Sequence, residues 1–242
     1  MRFSLALAIT VLCTAALPQC MRVTDGIEVD LAYLTEPTPF EIRTDLGYRI
    51  RLERALVAVG QVELVRCDKV VADLWGLLGA APARAHVLDT PTRLGEPLVL
   101  DLMEGAGTSE YAGTMKPPPG RYCGIRLVGM PADADAPGLD EKTQEMIEHT
   151  VLVQGRVRAE GEDEETELFV PIAEVLECEL PLERPLVFDS PVVENISIRI
   201  DHRSWFDGID FASLSEDAVR DRITENVQSS LQAELPRQED GF

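Results

Sequence analysis

Apolar and polar positions alternate along most of the chain between Ile27 and Ile200, and a period of two residues is that of a β-strand buried on one face. Ile27, Val29 and Leu31 begin the pattern before Glu36-Pro37-Thr38-Pro39 breaks any regular element, which predicts one edge strand and a loop. Tyr48–Cys67 is the longest β-rich stretch, alternating at Ile50/Leu52 and again at Val62/Leu64. Gly60 lies between the two phases and predicts a bulge or bend, giving two core strands or one long bent one. Val70–Pro97 is irregular, with Trp75, Gly76, Gly79, Pro82, Pro91 and Gly95, and reads as a long excursion between strands. Leu98, Leu100 and Leu102 form the next strand, Gly105-Ala-Gly107 turns the chain, and a short strand follows around Tyr111.

Pro117-Pro-Pro-Gly120 then stops any helix or central strand. Beyond it Cys123, Ile125 and Leu127 share one face of an extended segment, with Tyr122, Arg126 and Val128 on the other. Asp140–His149 has acids first and histidine last, which suits a short helix with His149 at its end. Val151, Val153 and Val157 alternate next, and Glu160–Glu165 is too acidic to be buried and predicts a solvated hairpin tip. Leu168/Val170/Ile172, Leu176–Leu182 and Ile196/Ile198/Ile200 complete the strands. Ser213 and Glu216 have capping-box spacing, and Val219, Ile223, Val227 and Leu231 step along one face, predicting an amphipathic helix over 214–232. The expected fold is therefore an antiparallel β-sandwich with a C-terminal amphipathic helix, a single domain over 21–242.

The first residues change the picture. Met1-Arg2 precedes an uncharged apolar run, Phe3–Leu17, too short to span a bilayer, and the segment 1–20 reads as a secretory signal peptide. Leu17-Pro-Gln-Cys20 is similar to a lipobox, which makes Cys20 a lipidation candidate, although Gln19 replaces the usual small residue. Cleavage near Ala16 would instead release a soluble protein. The destination is then the periplasm, or the outer membrane through a lipid anchor. No later segment is apolar enough to span a bilayer, so a polytopic membrane protein is excluded.

With 43 acidic against 22 basic residues the net charge is −21, a field that repels nucleic acid and anionic lipid. Five cysteines occur. Cys13 lies in the signal segment, and Cys178 falls on the apolar phase of a strand as a small hydrophobe, so Cys67 and Cys123 are paired by elimination in an oxidising compartment.

The turn-then-strand unit with Pro119-Gly120, Tyr122, Ile125, Arg126 and Leu127 resembles one in bacterial secreted lipoproteins that carry an uncharacterised transthyretin-like (prealbumin-like) β-sandwich domain. The likeness runs over roughly Tyr48 to Asp201. More loosely, the order of elements and Trp205-Phe-Asp-Gly-Ile-Asp210 are similar to periplasmic copper-associated proteins called MbnP-like. The resemblance implies an envelope protein and, in its looser form, copper.

Chemistry is sparse. No Gly-x-Ser-x-Gly elbow occurs, no histidine pair has metalloprotease spacing, and Gly105-Ala-Gly107 lacks the third glycine of a dinucleotide loop. Asp133-x-Asp-x-Pro-Gly138 fails as a calcium loop, because Pro137 holds position five and Gln144 stands where a bidentate glutamate is required. A non-enzymatic binding module is expected, with an unidentified protein or small molecule as its partner. Its candidate ligand-binding residues are Trp75 and His86 in the long excursion and Trp205 and Asp207 beyond the last strand. The alternative is a periplasmic copper-binding protein using His86 and His202, with Met103 or Met115 as soft ligands. Against a site stand two simpler readings: His202 continues the inward phase of Ile196–Ile200, and Trp205, Phe206 and Phe211 seat the C-terminal helix.

Overall fold

The computed structural model describes residues 26–37, 39–67, 90–104 and 107–236. Its spine is the 19-residue strand β3 (Tyr48–Arg66), one long bent strand rather than two. Along one flank of β3 run three short strands, β2 (Ile42–Arg43), β5 (Leu98–Asp101) and β4 (Arg93–Leu94). Along the other flank, β8 (Val151–Ala159) and β7 (Gly120–Gly129) lie end to end, pairing with the first and second halves of β3. Outside them, also end to end, run β9 (Thr166–Ile172) on β8 and β10 (Leu176–Phe188) on β7.

Two bulges keep β3 in phase with the core. One falls at Gly60, between Val59 and Gln61, as its glycine predicts; a Cβ there would stand 2.1 Å from Met130 Cγ. The other falls between Leu52 and Arg54, and it moves the buried positions from Ile50 and Leu52 to Ala55, Val57 and Val59. Ala55–Gly60 is buried on both faces. The outer face is covered by the segment between β7 and β8, whose Ala132, Ala136 and Met146 pack with Leu56, Ala58, Val99 and Leu152 in a separate small cluster.

The second sheet has the order β12, β11, β1, β6, with β1 (Ile27–Thr35), β6 (Ser109–Met115), β11 (Val192–Ile200) and β12 (Leu231–Glu234). Its inward Val29, Leu31, Tyr33, Ile196, Ile198 and Ile200 meet the larger sheet in the main core. The described residues thus form a β-sandwich with one substantial helix among them, α1 (Glu216–Ser230). Among the described strands all pairs are antiparallel except β1 and β11, which run parallel with Ile27 opposite Val192.

Several local expectations are corrected. The strand β1 is interior, because β6 and β11 pair on its two sides. The end of the Val70–Pro97 excursion is regular: Thr90 and Arg93 close a tight turn and β4 pairs with β3. Asp140–His149 forms turns and a single 3₁₀ turn at Gln144–Met146 instead of a helix. Its backbone is diverted there to Ala132, which accepts from Glu148 N–H and donates to the His149 carbonyl, while Met146 is pulled into the small cluster. Tyr122 is buried rather than outward, because the register slips between Val65 and Arg66 and leaves Cys123 as the extra residue. Helix α1 starts at Glu216, not 214: the cap is Ser215, whose Oγ accepts from Ala218 N–H, whereas Ser213 donates to Asp210. The helix stops at Ser230, and Leu231 opens β12, where it pairs opposite Ile200.

Cys67, just beyond β3, and Cys123, at the β7 bulge, are disulfide-bonded with Cα atoms 4.9 Å apart. Cys178 is free and buried, as its phase requires, and burial pushes its thiol pKa up. No described helix is long and apolar enough to cross a membrane.

Candidate functional site

Beyond β11 the chain makes a 3₁₀ turn over His202–Phe206 that inserts His202, Trp205 and Phe206 into the core. Trp205 is fully buried, and its indole N–H donates to Ser230 Oγ at 2.9 Å. Asn226 Nδ2 donates to the carbonyls of Trp205 (3.0 Å) and Asp207 (2.8 Å), so the turn and α1 form one unit. The aromatic residues Trp205 and Phe206 do seat the helix.

His202 is sealed in the same core, edge-on to Trp205 with ring centroids 6.1 Å apart. Burial pushes its imidazole pKa below the usual range, against the pull of Asp201. Asp207 is exposed, yet neighbouring protein atoms desolvate its carboxyl and raise its pKa, and the charges of Asp45 and Asp201 act in the same direction. Met115 is buried in the main core and Met103 packs against it. Trp75, His86 and Cys20 lie outside the described residues, so the convergence of His86 with His202 is not part of the described geometry. Among the described residues no three His, Cys, Asp or Glu side chains gather in a way that could hold a metal ion.

A second feature lies one turn further on. A groove of about 650 Å³ runs between the β8–β9 hairpin and the segment Phe211–Arg220. Tyr48 anchors one wall: its hydroxyl donates to Asp210 Oδ1 at 2.5 Å, and its ring meets Phe211 edge-on at 5.2 Å. Asp210 also accepts from Ala212 N–H and the Ser213 hydroxyl, and these hydrogen bonds hold its carboxyl below the usual range. Leu214 and Val219 stand at the N′ and N4 positions of α1, the spacing of a hydrophobic staple, and both line the groove.

The floor of the groove is apolar and open. Phe169 on β9 is 53% exposed and Leu214 39% exposed. Around them stand Glu162, Glu164, Glu167 and Glu216, and none of the four forms an ion pair with another described residue. The two arginines of the lining are both neutralised, Arg158 by Glu41 at 3.4 Å and Arg220 by Asp217. The groove is therefore electronegative. Glu160 and Glu165, from the same acidic hairpin, are instead drawn to the outer face by Arg49, Arg51 and Arg156.

Of the groove residues only Phe211 belongs to the aromatic segment that the sequence singles out, and there as a seat for the helix; the others read as strand, hairpin-tip or helix positions. The available signal was Phe169, a large aromatic residue on the polar phase of Leu168, Val170 and Ile172. Compared with known proteins, the chain matches no family model, no curated protein and no solved structure.

Proposed function

We propose that this chain is a non-enzymatic binding module of the cell envelope, taking its ligand or partner in the groove between β9 and Phe211–Arg220. The observation that carries the reading is the combination of exposed Phe169 and Leu214 with four carboxylates that have no ion-pair partner among the described residues. An apolar floor with a few convergent polar groups is the usual character of a binding site. Export is supported by the apolar run Phe3–Leu17 and by the Cys67–Cys123 disulfide, which persists in oxidising compartments. Lipid anchoring at Cys20 is the finer form of the same reading.

The test is an amide-resolved magnetic resonance titration of the isotope-labelled protein with a mixed set of small apolar and basic fragments. Shift changes should gather at Phe169, Leu214 and Phe211. Changes scattered over the surface, or gathered elsewhere, would overturn the assignment. The copper reading would draw on His86, outside the described residues, and on His202, which is closed in the core. Copper titration distinguishes it: stoichiometric uptake that is lost in His86→Ala would favour that reading over the groove.

A further inference from the structure

We propose that the groove receives a basic, extended segment of a partner protein, which adds as a strand to the open edge of β9. The proposal rests on the reading of the groove as the binding site and names what enters it.

The edge itself is the first argument. Among the described residues β9 pairs only with β8, so its other side carries backbone groups without a sheet partner. Pro171 lies inside β9 opposite Leu152. Proline has no N–H to give, and within a sheet it stands where its nitrogen faces away from the neighbouring strand. By the two-residue period Glu167 and Phe169 then also turn their backbone N–H and C=O outward. These are the groups that an added strand would pair with, giving affinity through the main chain and selectivity through alternate side chains.

The side chains around the edge specify the partner. Phe169, Leu214 and Phe211 offer apolar contact to an extended segment. Glu167, on the same face of β9 as Phe169, and Glu162, Glu164 and Glu216 around the groove add uncompensated negative charge. The complement is a segment that mixes apolar residues with lysine or arginine. A second copy of this chain is disfavoured as the occupant, because it would bring the same carboxylates to the edge on a molecule of net charge −21. Pro171 limits the pairing to the Thr166–Phe169 side of the strand, so the partner segment is short.

The experiment uses the capped peptide Lys-Val-Lys-Val-Lys-Val, its Glu-Val counterpart, and a Lys-Val peptide N-methylated at alternate residues. Binding is followed by calorimetry and by amide exchange of the mature protein. The lysine peptide should bind, more weakly at high salt, and should protect the Glu167 and Phe169 amides from exchange. Glu167→Lys and Phe169→Asp, both at exposed positions, should each weaken it by about tenfold or more. Glu177→Lys on β10 should change it less than about twofold. The N-methylated and acidic peptides should not bind, and unchanged melting temperatures would confirm that the variants are folded. Equal binding of the acidic or N-methylated peptide, protection away from β9, or indifference to the two groove substitutions would overturn the proposal. If fragments shift the groove amides but the lysine peptide does not, strand addition fails and the groove remains. If neither shifts them, both readings fail. Concentration-dependent dimerisation through β9 would replace the basic partner with a second copy.

Discussion

The indole of Trp205 has no solvent contact, so the Ser230 hydroxyl 2.9 Å away carries the task of satisfying its N–H. Removing that acceptor leaves a buried donor unpaired. Ser230→Ala should lower stability by about 1–3 kcal/mol, read from urea denaturation. His202 in the same core is held neutral by burial, with its folded pKa below its unfolded one. Its contribution is therefore fully present above the unfolded value, about 6.5, and is lost as pH falls through the folded one. Asp210 follows with the same sign at lower pH, since its folded pKa is depressed below the ordinary carboxylate range. The melting temperature should decline in two stages on acidification; His202→Gln should remove the first and Asp210→Asn should flatten the second. The disulfide partners could be read from the sequence because Cys178 has an apolar phase that accounts for it. Phe169 could not, because a period-two pattern locates the buried face and says nothing about what the other face meets.

At the level of elements, punctuation residues decide what was legible. Gly60 marks its bulge, whereas the bulge between Leu52 and Arg54 has no glycine or proline to announce it. Gly155 lies across from that second bulge, and a Cβ there would sit 2.4 Å from the Arg51 carbonyl oxygen. A backbone oxygen in a ladder cannot step aside, so Gly155→Ala should cost about 1–3 kcal/mol in chemical denaturation. Gly60→Ala should cost less, because its obstacle is the flexible Met130 side chain. The end of α1 misleads for a different reason. Leu231 continues the helical spacing of Val219, Ile223 and Val227, but from Leu231 onward the backbone pairs with β11, and edge pairing outweighs the spacing. The charge pattern of Asp140–His149 misleads in the same way, since the backbone contacts with Ala132 override local propensity.

At the scale of the whole molecule, the Cys67–Cys123 bond spans a sequence separation of 56 and ties the end of β3 to β7 beyond the excursion. Replacing both cysteines by serine should lower stability by about 2–4 kcal/mol, measured against the oxidised protein in guanidinium. Fold class and the position of the helix were legible because alternation and amphipathic spacing are local signals. Sheet order was not, since nothing local in Ile27–Thr35 says that its neighbour lies near the other end of the chain.

That parallel pairing of β1 with β11 sets the order of events when the chain is made. The first of the described strands to emerge in synthesis must wait for nearly the last, and until Val192–Ile200 appears the nascent β1 lacks one of its two neighbours. The smaller sheet therefore cannot close from the N-terminal side, and the incomplete chain stays open until its late strands arrive. Chains truncated before Val192 should be digested quickly by proteases that spare the whole protein. This delay keeps the polypeptide threadable until its synthesis is almost finished.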